Sequence, residues 1–197
     1  LTSLPAVSLG DLTLDRANGL SLSGDVSIAG TLTLSDGLLT LANSNLTLGS
    51  GGSISGAGSS RYLVTSGTGG LIRPVGGSNV SFPVGYTSYN PLILNNAGTS
   101  DDFTVRLADN VLTEATTGST MANRLVDRTW FVSEAAAGGS DVSLTFDWDV
   151  NDELPDLDRA NVVIKHFFGG KWNDEGEIGP ATFIGGNRYT YTVNGVT

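Results

Sequence analysis

The chain has 197 residues, of which 39% are hydrophobic and only 15% charged; it contains 27 glycines and no cysteine, and its net charge is −10. The missing cysteine excludes disulfide staples, thiol chemistry and cysteine-held metals, and the negative surface speaks against nucleic acid or anionic lipid as partners, since both would be repelled. No apolar run reaches the ~20 residues a membrane helix needs, so membrane insertion is not expected.

Glycine, serine, threonine and asparagine fill the deficit of charge, a mixture that favours short strands and tight turns over helices. The opening Leu1-Thr2-Ser3, without a methionine, reads as a piece of something longer. In the first third, Asp11–Gly30 aligns with Thr31–Ser50: Leu12 falls on Leu32, Leu14 on Leu34, Val26 on Leu46 and Ile28 on Leu48, always at an offset of 20. A third row, Gly51–Gly70, keeps Ile54 under Leu34 and little else. Each row holds apolar-x-apolar triplets such as Leu12-Thr13-Leu14 and Leu39-Thr40-Leu41, separated by turn residues such as Asn18-Gly19 and Asp36-Gly37.

A triplet is a minimal strand with two side chains in and one out. Three strands and three corners in about 20 residues predict a β-solenoid coil whose aliphatic residues stack in ladders inside the tube. A meander of hairpins is the alternative. The expected solenoid covers residues 1–60 and a β-sandwich-like domain covers 61–197, so the fold class is all-β.

Beyond residue 60, Arg61–Val64 reads as a strand leaving the solenoid, Thr65–Gly70 as a turn cluster and Leu71–Val75 as another short strand. Longer strands are predicted at Val80–Val84, Leu92–Asn95, Phe103–Ala108, Thr129–Glu134, Val142–Val150, Val162–Phe168, Thr182–Ile184 and Tyr189–Val193. In Leu144–Val150 the alternation places Leu144, Phe146, Trp148 and Val150 on one face and Thr145, Asp147 and Asp149 on the other. Seven or eight such strands suit an antiparallel sandwich. Val111–Asp127 is left for a short helix or a loop.

The order Phe82-Pro83-Val84-Gly85, Tyr89-Asn90-Pro91-Leu92, Arg128-Thr129-Trp130 and Glu153-Leu154-Pro155 resembles a module of large secreted surface proteins of the Bacteroidota, often exported by type IX secretion. The resemblance covers roughly Tyr62 to Thr197, and the repeats before it look like the solenoid arrays that adjoin such modules. It implies an extracellular or cell-surface location, with a sorting domain following where this chain reaches Asn194–Thr197, and it carries no catalytic residues.

The densest chemistry is acidic. Asp147, Asp149, Asn151, Asp152, Asp156 and Asp158, with Glu153, put seven oxygen-bearing side chains into twelve residues. Ca²⁺ takes six to eight oxygens, which makes the first six residues candidate calcium ligands. An EF-hand is ruled out because Asp152 stands where glycine is needed and a strand precedes the loop. The competing reading is an acidic wet strand face running into a turn. Trp172, after Gly169-Gly170-Lys171, is the candidate sugar-stacking platform at a turn. His166, the only histidine, shares strand parity with Val162 and Ile164, and no Gly-x-Ser-x-Gly elbow accompanies it.

The expected function is therefore non-enzymatic: a spacer or stalk of a surface protein, or a subunit of an extracellular filament. The alternative is an adhesin or carbohydrate-binding module, with Ca²⁺ as the one cofactor considered. Expected partners are neighbouring surface modules, further copies of the chain, or glycans.

Overall fold

The computed structural model describes residues 3–197. The chain opens as a β-solenoid of about four coils. Coil one carries β1 (Ser3–Leu4), β2 (Val7–Leu9) and β3 (Leu12–Asp15). Coil two carries β4 (Leu20–Leu22), β5 (Val26–Ile28) and β6 (Thr31–Asp36), and coil three carries β7 (Leu39–Thr40), β8 (Leu46–Leu48) and β9 (Ser53–Ser55). Coil four has β10 (Leu63–Val64) and β11 (Leu71–Val75); after β12 (Val80–Phe82), β13 (Val84–Gly85) adds a last parallel rung against β10.

The predicted triplets are these strands, and the offsets of 20 are their registers: Leu12 pairs with Leu32, Leu14 with Leu34, Val26 with Leu46 and Ile28 with Leu48. Ile54 is a correction, because it stacks on Leu32 rather than Leu34. Two extra residues in the corner before β9 lengthen that spacing to 22. The strand at Leu63–Val64 does not leave the solenoid either; it lies on β7, with Leu63 over Leu39. Residue 60 thus falls between coils three and four.

Polar corners hold successive coils together. The Asp11 carboxylate accepts from the Thr31 amide at 2.6 Å, Asp25 from the Asn45 amide at 2.8 Å, and the Asn45 side chain in turn accepts from Gly70 at 3.1 Å. Gly37 shows why one such corner needs glycine: its φ is +79°, and a Cβ there would sit 1.9 Å from the Arg16 carbonyl oxygen of the coil beneath.

The solenoid then changes direction without changing sheet. β14 (Leu92–Asn96) is followed by β15 (Asp101–Asp109), which runs antiparallel along β11. After β16 (Leu112–Glu114) and β17 (Thr117–Thr120), β18 (Arg128–Glu134) pairs antiparallel with β15. The result is one six-stranded sheet, β2-β5-β8-β11-β15-β18, parallel in its first four strands and antiparallel in the rest. Val7, Val26, Leu46, Leu71, Val105 and Val132 form one aliphatic row across all six strands. At the usual strand separation the row is about 24 Å long.

The remaining strands are β19 (Val142–Asp149), β20 (Val162–Phe168), β21 (Lys171–Gly179), β22 (Thr182–Gly185) and β23 (Arg188–Val196). A second sheet, β12-β14-β19-β23-β22, supplies Phe82, Leu92, Leu94, Leu144 and Phe146 to the same buried cluster that holds the solenoid ladders. Trp130 of the first sheet meets Phe146 of the second edge to face at 5.1 Å. One continuous core therefore runs from Leu14 of coil one to the second sheet. Val111–Asp127, left for a helix or loop, instead begins with the β16–β17 hairpin. Polar threonines open to water on both strands favour extended backbone without a core to mark it.

One side chain stitches the junction. The buried Thr65 hydroxyl donates to the Leu107 carbonyl at 3.0 Å and accepts from the Leu107 amide at 2.8 Å. It satisfies the backbone of β15 just beyond the end of β11, where no peptide unit is available to pair.

Candidate functional site

Strand parity determines what lies at the far end of the six-stranded sheet. In β18, Arg128 shares a face with Trp130 and Val132, so its guanidinium is driven into the layer between the sheets, where it is buried. A charge there needs partners. The 3-10 turn Val150–Asp152 after β19 delivers Asp152, whose carboxylate lies 2.5 Å from Arg128 Nη2. Asp109, at the end of β15, lies 3.1 Å from Arg128 Nη1.

Asn90 and Ser88 complete the cluster. The Asn90 amide donates to Asp152 at 2.6 Å while its carbonyl accepts from Arg128 Nε at 3.1 Å. The Ser88 hydroxyl lies 2.8 Å from both Arg128 Nη2 and Asp152 Oδ2. The Trp130 indole donates to the Asn90 backbone carbonyl at 3.1 Å, which ties the cluster to the core. Burial pushes the Asp109 carboxyl above the ordinary carboxylate range, and Arg128 and the Thr87 hydroxyl pull it partly back.

Asn90, Arg128, Trp130 and Asp152 all lie in or directly beside the segments that carry the resemblance. In space they form one clamp joining the β13–β14 loop, β15, β18 and the 3-10 turn. Parity could have flagged it, because an arginine facing the same way as Trp130 and Val132 demands a buried acid.

The six candidate calcium ligands are dispersed among separate tasks. Asp147 pairs with Arg188 at 2.6 Å, and burial raises its carboxyl against the pull of that arginine. Asp149 caps the 3-10 turn, accepting from the Asn151 amide at 2.9 Å and its side chain at 2.7 Å. Asp152 belongs to the clamp. Asp156 is exposed with a φ of +65°. Asp158 accepts from the Ala160 amide and the Asn161 side chain, which hold its carboxyl below the ordinary range. Glu153 grips Arg159 and accepts from the Trp148 indole. Among the described residues, no three His, Asp or Glu side chains converge in a way that could hold a metal ion.

Trp172 is also reassigned. It sits in β21 rather than a turn, half-buried, with its ring edge to face with Phe167 at 5.3 Å and its indole donating to the Leu112 carbonyl at 2.9 Å. Through that bond it pins the β16–β17 hairpin. His166 points outward, against its expected parity with the buried Val162, and lies 3.2 Å from Glu175. The outer half of β20 runs past the core, so the neighbouring Lys165 and His166 are both exposed whichever face they take.

A cleft of about 260 Å³ opens beside the β16–β17 hairpin, lined by Arg106, Asp109, Leu112, Thr116, Thr129 and Phe131. The Arg106 guanidinium stacks 3.5 Å over the Phe131 ring, and burial lowers its pKa. No known protein family, curated protein or solved structure matches the chain.

Proposed function

We propose that the chain is a non-enzymatic structural module of an extracellular or cell-surface protein, acting as a stiff spacer. The supporting observation is the aliphatic row from Val7 to Val132, which joins solenoid and sandwich into one sheet over one core. A spacer must transmit force without a hinge, and a shared sheet provides this where a linker between domains would bend. The clamp around Arg128 locks the end at which the antiparallel strands return. The extracellular placement rests on the sequence resemblance alone.

The test is mechanical. Pulled from its two ends in a force clamp, the chain should release its whole length in one step. A first step that frees only coils one to four, with the sandwich left folded, would sink the reading.

A second reading, glycan binding, is favoured only by the cleft beside Phe131, where Arg106, Thr116 and Thr129 could meet sugar hydroxyls or a sugar carboxylate. Saturation-transfer NMR against neutral and acidic oligosaccharides tests it. Contacts that vanish in Arg106→Ala support it, and silence across the set removes it.

A further inference from the structure

The cleft beside the β16–β17 hairpin is built entirely from the stretch between Arg106 and Phe131. Parity in β15 sends Phe103, Val105 and Leu107 into the core and Arg106 to the outer face of the six-stranded sheet. There it stands opposite Phe131 of β18, with its guanidinium held 3.5 Å over that ring. The hairpin wall is fixed as well, because the Trp172 indole bonds the Leu112 carbonyl and ties the hairpin to β21.

Arg106 differs from the other arginines of the antiparallel half that are not fully exposed. Arg128 holds Asp109 and Asp152, Arg159 holds Glu153, and Arg188 holds Asp147. Among the described residues no acid comes within 4.0 Å of the Arg106 guanidinium, and burial is the one influence on its charge. A partly desolvated guanidinium without an acceptor favours an anion, and its forked donors fit a carboxylate through two parallel bonds.

Asp109 narrows the choice of anion. Its carboxylate lines the same cleft, 24% exposed, while bonded to Arg128 and to the Thr87 hydroxyl. A dianion such as phosphate meets its full repulsion, whereas a singly charged carboxylate meets less and a hydroxyl beside that carboxylate finds an acceptor in Asp109. Thr129 spends its proton on the Asn110 carbonyl at 2.9 Å and keeps lone pairs for a second hydroxyl. At about 260 Å³ the cleft is smaller than the ~300–1,000 Å³ of pockets for larger ligands, which suits a single ring.

We propose that the cleft binds a hexuronic acid residue of an acidic polysaccharide, its carboxylate on Arg106 and a neighbouring hydroxyl on Asp109. The inference rests on the glycan reading of this cleft and narrows it to acidic sugars; it is independent of the spacer reading. Isothermal titration tests it with oligogalacturonate, oligoglucuronate and an alginate oligomer, each beside its methyl ester, which keeps every hydroxyl and removes the charge. At least one acid form should bind about tenfold or more tightly than its ester, and added salt should weaken it. Arg106→Lys keeps the charge and loses the fork, so it should weaken that binding by about tenfold with the melting temperature unchanged. Equal binding of acid and ester overturns the inference and leaves the glycan reading standing, while silence from every acid and ester overturns both. Inorganic phosphate that competes as well as the uronate, or an Arg106→Lys protein that binds like the wild type, also overturns it.

Discussion

The solenoid interior and the Arg128 clamp solve the same problem, holding strands in register, with opposite chemistry. Inside coils two to four, every buried ladder position is Leu, Val or Ile, so any rung fits any other and the pattern could continue indefinitely. At the clamp, one guanidinium meets two carboxylates, an amide and two hydroxyls at fixed angles, an arrangement only one packing can satisfy. Apolar burial is non-directional, while hydrogen-bonded charge is directional. Repetition extends the sheet, and specificity ends it.

Substitutions at each kind of site separate these roles. The largest loss is expected from Arg128→Ala, which leaves Asp152 charged and buried without its partner: about 3–5 kcal/mol in urea unfolding. If the loss is under about 1 kcal/mol, the clamp is ornamental and the contrast fails. Next comes Leu46→Ala, in the middle of the six-strand row and 0% exposed, at about 2–5 kcal/mol with the transition still single. Two separate transitions in that variant would show that solenoid and sandwich are only loosely joined.

Thr65→Val keeps the shape and deletes the hydroxyl that serves both polar groups of Leu107, and it should cost about 1–3 kcal/mol. The smallest effect is pH-dependent. Because burial raises the folded-state carboxyl of Asp109 above its ordinary 3.8, its favourable contribution is present below that value and is lost as pH rises through the raised one. Asp109→Asn removes that dependence, so its melting temperature should gain on the wild type as pH rises across that window. A constant difference would mean that folding does not raise the Asp109 carboxyl.

What could be read in advance follows the same division. The ladders were legible because alternation and a fixed offset are properties of neighbouring residues, visible in Leu12-Thr13-Leu14 over Leu32-Thr33-Leu34. The longer fourth coil was not: the chain needs 25 residues, not 20, to bring Leu71 over Leu46, and the added loops blur the period. β21 was missed because Lys171-Trp172-Asn173-Asp174-Glu175 is mostly polar and no residue of it is fully buried, as a hairpin outside the core can be. The acidic residues stood out by density, yet their partners lie far along the chain. Arg128 is 24 residues and Asn90 62 residues before Asp152, so no local spacing could separate a clamp from a cation loop.

Thr65 has a consequence for building such proteins. A β-solenoid is usually thought to need a dedicated terminal lid to cover its last rung. Here a single corner hydroxyl imitates a peptide unit toward Leu107 and lets an ordinary returning hairpin strand take the lid's place. A designer wishing to stop a synthetic array after any chosen number of turns could graft that one residue and the strand it greets.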